Sequence, residues 1–148
     1  MGKVGEFVET NLKVALKSKD ARGLAVLRML KTALVNERIA KIHDLSDEEE
    51  VAVVRRELKK REESVRSFTD AGRPERAEEE KAEAEILKSI LPPEMPEEEI
   101  RTAVKQVINT QGSENFGKVM GEVMKVLGSR ASGDKVREIV QNEIQNKN

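Results

Sequence analysis

Aliphatic side chains recur every three or four residues along almost the whole 148-residue chain. This spacing places them on one face of a helix, and no segment alternates apolar and polar residues as a half-buried strand does. A charged content of 37% with only 2% aromatic residues is also typical of disordered chains. The helical period nevertheless predicts a folded, all-α protein.

Capping and stop residues divide this pattern into seven predicted helices. Ser46 and Glu49 have the spacing of a capping box, Gly72 is a glycine stop, and Pro74 suits a first helical turn. Ile39 is expected on the apolar face of the second helix. Similar signals place the helices at about residues 3–17, 21–44, 46–71, 74–91, 96–111, 115–127 and 132–146.

The only proline cluster, Pro92-Pro93-Glu94-Met95-Pro96, interrupts the helices after the fourth. Paired prolines remove two backbone donors and disfavour helix in the residues before them. The cluster therefore predicts a four-helix part, residues 1–92, joined by a proline hinge to a small three-helix domain, residues 93–148.

The charge is nearly balanced overall, with 27 basic and 28 acidic side chains, which excludes a globally basic nucleic-acid binder. Residues 101–148, however, carry eight basic and five acidic side chains. The start of the last helix, around Gly133, offers free backbone N–H groups that suit a phosphate. A phosphate-backbone site is predicted at the turn between the last two helices, where the candidate cations are Lys118, Lys125, Arg130, Lys135 and Arg137.

Gly117 and Gly121 lie four residues apart and so share one helix face. Glycines there permit the close approach of a sugar-phosphate chain or of another helix of the same domain, and the second interpretation is the more common one. The absence of Tyr and Trp disfavours recognition by base stacking and favours folded RNA recognised by shape and backbone.

Three further runs of charged residues are interpreted as ordinary solvated helix surface. The acidic runs at residues 47–50 and 78–80 fall in first helical turns, where the helix dipole favours negative charge. The basic run at residues 55–61 is expected to be exposed, with Glu57 paired to Arg61 four residues later. An anionic docking ridge is the alternative for this run.

Residues able to carry catalysis are missing. The chain has no cysteine, one histidine (His43), no Gly-x-Ser-x-Gly elbow and no glycine-rich nucleotide loop. One histidine does not build a histidine-rich metal site, so neither a metal nor a cofactor is expected. Charged residues interrupt every long apolar stretch and the start of the chain, so the protein is expected in the cytoplasm, away from the membrane.

Three blocks of sequence resemble the YqeY-like family, which is related to the tail domain of GatB, one component of the tRNA-dependent amidotransferase. In the most specific block, Arg130 stands where lysine is commoner and Ser132 where an acidic residue is commoner. The blocks are residues 26–37, residues 85–100 around the proline cluster, and residues 116–124 continued by 128–133 and Val136.

The resemblance implies a two-part helical fold whose last three helices are related to a domain that grips the outer elbow of tRNA. It also implies an association with glutamine-dependent amidation of misacylated Glu-tRNA or Asp-tRNA, a carbon–nitrogen ligase reaction whose catalytic parts lie outside the tail. We therefore expect a non-catalytic tRNA-binding accessory protein. The alternatives are an adaptor that docks a synthetase or amidotransferase without touching RNA, and an enzyme acting alone.

Overall fold

The computed structural model describes residues 1–147, and all of their side chains except those of Ser129 and Lys147. Asn148, the last residue of the predicted second domain, lies outside the described residues. The described chain is all-helical, as predicted. Its elements are α1 (Lys3–Ser18), α2 (Ala21–Lys41), α3 (Asp47–Asp70), α4 (Pro74–Ile90), α5 (Glu97–Gln111), α6 (Phe116–Leu127), a short 3-10 turn (Gly128–Arg130) and α7 (Gly133–Lys147).

The predicted capping residues form the helix ends. The hydroxyl of Ser46 accepts a hydrogen bond from the Glu49 N–H at 3.1 Å, and the Glu49 carboxylate accepts one from the Ser46 N–H at 3.0 Å. The Asp20 carboxylate accepts a first-turn N–H of α2 at 3.0 Å. Gly72 follows α3 with a positive φ of 70°, and Pro74 is the first residue of α4. The three hydrogen bonds satisfy backbone groups that the helices leave unpaired, and Pro74 lacks the N–H that a first turn would leave unpaired.

The chain divides into two compact units, the first spanning Met1–Leu91 and the second beginning at Pro92. In the first unit, α3 packs along α4 and α1 along α2. The buried apolar side chains of this unit form one cluster, which consists of Val4, Val8, Ala15, Val26, Leu27, Leu30, Leu34, Val51, Val53, Val54 and Leu87.

The second unit is a three-helix arrangement in which α5, α6 and α7 each pack against the other two. Its helices have the apolar faces that their periodicity predicts. The buried cluster consists of Ile100, Val104, Ile108, Val119, Val123, Leu127, Ala131, Val136, Ile139 and Val140.

The C-terminal half of α2 differs from the prediction. Ile39 was expected to face inward but is 66% exposed, and it lies between Val35 and Ile42 on an exposed apolar stripe. Ile42 ends the helix with a φ of 61°, which is costly for a β-branched residue, and is 90% exposed. Helix geometry did not support the expected inward position, because nine residues from the buried Leu30 amount to about two and a half turns and place Ile39 on the opposite side of α2.

The acidic run at the start of α3 was predicted to be solvated helix surface, and this prediction is wrong for part of the run. Glu50 is only 4% exposed, and its carboxylate accepts a hydrogen bond from the Gly5 N–H at 3.2 Å. Asp47 accepts one from the Lys3 N–H at 2.9 Å. Acids of α3 therefore cap the N-terminus of α1, a long-range contact that the local pattern did not indicate.

Two residues of the basic run of α3 make contacts between helices: Arg56 with Glu37 of α2 at 2.8 Å, and Arg61 with α4. Arg61 does not pair with Glu57 as expected. Its guanidinium instead bridges to Glu80 at 3.0 Å and Glu83 at 3.1 Å on α4, and it also contacts the sulfur of Met29. The α3–α4 pair is thus held together by charges across its seam. Among the described residues, no helix is both long and apolar enough to cross a bilayer.

Candidate nucleic-acid interface

The outer surface of α6 brings together four of the eight predicted site residues. Gly117, Gly121 and Lys125 recur at four-residue spacing and therefore lie along one line of the helix, with Lys118 beside them. All four are exposed, whereas Val119, Val123 and Leu127 on the opposite side are buried. We call Gly117, Lys118, Gly121 and Lys125 the glycine–lysine face.

The two glycines of this face are not used to pack helices within the described fold. A Cβ placed on Gly121 would meet nothing within 4 Å, and one on Gly117 would only reach the Asn115 side chain at 3.5 Å, an ordinary contact. The interpretation of these glycines as an intramolecular packing motif is therefore wrong. They leave a strip of bare backbone open to the outside.

The two lysines of the face have different surroundings. The Lys125 ammonium lies 3.8 Å from the Glu122 carboxylate, and its side chain is 79% exposed. The backbone N–H of Lys118 is capped by the Asn115 side chain at 3.1 Å, as the predicted N-cap requires. The Lys118 ammonium forms no hydrogen bond or ion pair within the part of the chain that the structure describes. Both charges are therefore accessible to an external anion.

Arg130 makes hydrogen bonds within the second unit in addition to presenting a positive charge to a ligand. Its guanidinium donates to the carbonyl oxygens of Leu127 at 3.0 Å and Val126 at 2.8 Å, at the C-terminus of α6. Those carbonyls have no intrahelical donor, and the negative end of the helix dipole attracts a cation. Arg130 is thus a C-terminal cap of α6 whose remaining N–H groups stay available.

The start of α7 has a mixed charge. Ser132 caps the helix by accepting the Lys135 N–H at 3.2 Å, as predicted. The Lys135 ammonium, however, lies 3.4 Å from the Glu97 carboxylate of α5, and the cavity beside Ser132 is also lined by Glu94. These carboxylates oppose a phosphate at this helix start. The structure therefore does not assemble the predicted anion site around Gly133, although a Cβ there would meet nothing within 4 Å.

Arg137 is exposed on α7 and makes no side-chain hydrogen bond or ion pair among residues 1–147. Lys118 lies about 10 Å along the axis from Lys125, since seven residues separate them at 1.5 Å each. The five predicted cations therefore do not gather at one turn. Two belong to the glycine–lysine face, Arg130 lies at the end of the same helix, and Lys135 faces α5.

The charged side chains of the second unit are unevenly distributed, and the unit as a whole is not basic. Counted from Pro92, it holds eight basic and nine acidic side chains, because Glu94 and the run at residues 97–99 belong to it. The excess of basic residues over positions 101–148 therefore does not extend to the whole unit. The acids cluster at the N-terminus of α5, which leaves α6 and the turn after it as the basic part.

One buried ion pair of the second unit was not predicted. Arg101 donates to Glu143 at 2.7 Å and to Glu97 at 3.0 Å, and the Glu143 side chain is only 7% exposed. The hydrogen bond to the Glu143 carboxylate raises the pKa of Arg101. A sequence signal did exist, because Glu143 follows Ile139 and Val140 on the buried face of α7, where an acid needs a partner.

The fold and this surface define an all-helical protein of two units, the second of which carries a bare, basic helix face. A sequence profile of the family described as Yqey-like protein matches residues 6–144. The chain therefore belongs to the YqeY-like family. It is also 26% identical over 128 residues to the "Altered inheritance of mitochondria protein 41, mitochondrial" of Pyrenophora tritici-repentis (strain Pt-1C-BFP), covering 84% of this chain and 71% of that protein.

Proposed function

We propose that this protein binds folded RNA, and tRNA first of all, through the glycine–lysine face of α6. The observation that carries the proposal is the open backbone at Gly121, flanked by two exposed lysines. Glycine within a helix costs about 1 kcal/mol relative to alanine, and no contact within the described fold compensates for it. A sugar-phosphate chain lying against the bare strip gains close contact there, with Lys118 and Lys125 on its phosphates.

Folded RNA suits this face better than single strands do. Backbone and shape recognition needs cations and close approach, whereas single-strand binding relies on stacked aromatic rings. Phe116, at 37% exposure, is the single aromatic residue of the second unit. The resemblance to the amidotransferase tail, a domain that grips the outer elbow of tRNA, supports tRNA as the RNA ligand.

The proposed role is a non-catalytic accessory to glutamine-dependent amidation of misacylated tRNA. The composition supports this role because the chain has no cysteine nucleophile and no nucleotide-binding loop. Adding the purified protein to an amidotransferase and its misacylated tRNA should lower the KM for tRNA. Turnover by this protein alone would contradict the non-catalytic role.

Salt dependence of tRNA binding tests the interface. With three phosphates engaged, the logarithm of the affinity should fall against the logarithm of salt concentration with a slope near −3. The variants Lys118→Gln and Lys125→Gln should each weaken binding and reduce that slope by about 1. Lys105→Gln removes the same charge from an exposed position of α5 and should leave both quantities unchanged.

Two results would refute this interface. One is a binding affinity that does not respond to salt. The other is an equal loss of affinity in Lys105→Gln and in the two α6 variants, which would indicate a diffuse charge effect.

The exposed apolar stripe of α2 favours a second candidate function, a protein-interaction adaptor. Val35, Ile39 and Ile42 are 38%, 66% and 90% exposed along one line. Contiguous exposed apolar residues mark protein interaction sites. Ile39→Lys should then abolish recovery of a synthetase or amidotransferase by the nuclease-treated protein, while tRNA binding stays intact. Recovery that Ile39→Lys leaves unchanged would contradict the adaptor.

A further inference from the structure

A cavity of about 280 Å³ lies in the first unit between α1, α2 and the start of α3. This volume accommodates roughly nine groups the size of a water molecule. Its apolar walls include Val8 of α1, Leu34 and Val35 of α2, and Leu45 of the loop before α3. Apolar walls with a few polar groups are the usual composition of a small-molecule site.

Glu50 is the most unusual group of this cavity. It lines the cavity and is 4% exposed. Its Oε2 accepts the Gly5 N–H, but its buried Oε1 has no hydrogen-bond partner among the described residues. A buried polar atom without a partner is destabilising and rare in native proteins. The carboxylate therefore lacks one donor that the fold does not supply.

The remaining charged side chains around the cavity do not satisfy Glu50. Lys31 is paired with Glu9 at 2.8 Å, so these two neutralise each other. Arg38 and Asp44 contribute one charge of each sign. With Glu50 added, the lining side chains carry one net negative charge. The α-ammonium of Met1, which also lines the cavity, balances this charge, so the lining favours a cation once Met1 is displaced.

We propose that this cavity binds a small aliphatic ammonium compound. Its ammonium group donates to Glu50, and its chain lies against Val8, Leu34 and Leu45. Met1, which is 74% exposed, also lines the cavity, and its side chain lies close to Gly5. Displacement of this exposed side chain gives the ligand access to the carboxylate. The site belongs to the first unit and is independent of RNA binding by α6.

Three probes with four carbon atoms each separate charge from apolar burial. n-Butylamine, n-butanol and butyrate are titrated into the full chain while amide resonances are followed by two-dimensional NMR. The Gly5 amide reports directly because it donates to Glu50. We expect a saturable shift with butylamine at a dissociation constant of about 1 mM, and affinity at least tenfold weaker for the other two probes.

Equal affinity for butanol would indicate that the carboxylate takes no part in ligand binding. The same result is expected if a water molecule already donates the missing hydrogen bond to Glu50. Tighter binding of butyrate would indicate the opposite charge preference. The absence of a saturable response to butylamine up to roughly 50 mM would show that the cavity does not bind amines. Each of these outcomes overturns the proposal.

Two variants with a matched control locate the amine. Glu50→Gln keeps the shape and an acceptor for Gly5, and it should lower butylamine affinity about tenfold or more because the charge-assisted hydrogen bond is lost. Glu48→Gln makes the same charge change at an exposed position of the same turn and should bind as the wild type does. If Glu50→Gln does not fold, Val35→Trp at the half-exposed rim should block entry with Glu50 intact. Unchanged butylamine affinity in Glu50→Gln or in Val35→Trp would refute the assignment.

Discussion

Replacing Gly121 by alanine should stabilise the second unit by about 0.8 to 1 kcal/mol. The gain follows from helix propensity alone, since alanine exceeds glycine by that amount within a helix. No steric cost offsets it, because the added Cβ would meet nothing within 4 Å. At this magnitude, the ratio of folded to unfolded molecules rises about fivefold.

Amide hydrogen exchange in the full chain measures this change unit by unit. The Val119 and Val123 amides lie in α6, and their side chains are fully buried in the second unit. Their exchange through global unfolding of that unit should slow about fivefold in Gly121→Ala. The same variant should bind tRNA more weakly, because the Cβ covers the bare backbone strip. Stability and binding thus change in opposite directions.

Gly112→Ala is the control variant, because its effect on stability should have the opposite sign. A Cβ there would also meet nothing within 4 Å, but Gly112 has a φ of 87° and a ψ of 171°, a conformation almost restricted to glycine. The free energy of unfolding of this variant should fall by roughly 1 to 3 kcal/mol. If Gly121→Ala destabilises while Gly112→Ala behaves as expected, the outer face of α6 packs against something in solution and is not a bare surface.

Three further changes test contacts of both units. Glu143→Ala should cost about 2 kcal/mol in the second unit by leaving Arg101 without its buried partner, and a loss below about 0.5 kcal/mol by amide exchange would contradict the pair. The hydrogen bonds from Lys41 and from the Ser46 N–H lower the pKa of Glu49 from 4.5 to about 2. Its contribution to stability is therefore present above pH 4.5 and disappears as the pH falls towards 2. Urea unfolding should show the wild-type advantage over Glu49→Gln shrinking across that interval, whereas a constant difference would argue against the pairing. Ile42→Gly should raise the free energy of unfolding of the first unit by about 1 kcal/mol by removing a left-handed β-branched residue, and a lower urea midpoint would contradict this.

Local signals predicted the helices because the helix ends depend on neighbouring residues. The capping box at Ser46, the N-caps at Asp20, Asn115 and Ser132, and the stop at Gly72 each act within one turn of their own helix. The periodicity likewise identified the apolar faces of both units. These features need no knowledge of the tertiary structure.

Contacts between helices were not predictable in the same way. The partner of Glu50 is 45 residues away at Gly5, and Arg61 meets Glu80 on the next helix rather than Glu57 on its own. A sequence pattern shows that an acid or a base is present but not which helix end or charge lies opposite. The same reason explains why only some of the eight candidate site residues lie together: those on α6 share a face, whereas Lys135 is directed to α5.

With so few available cations, the proposed interface should bind RNA only weakly by itself. Lys135 and Arg130 are engaged within the unit, which leaves Lys118, Lys125 and Arg137 as the cations best able to meet phosphates. Proteins with so few phosphate contacts and no base recognition bind in roughly the 1 to 100 µM range at physiological salt. Useful affinity then requires a second attachment that raises the effective concentration, and an adaptor surface such as the exposed stripe of α2 provides one kind. The two candidate functions are then complementary: Ile39→Lys should abolish assembly with a tRNA-bound partner and Lys118→Gln should weaken it, although each affects a different contact.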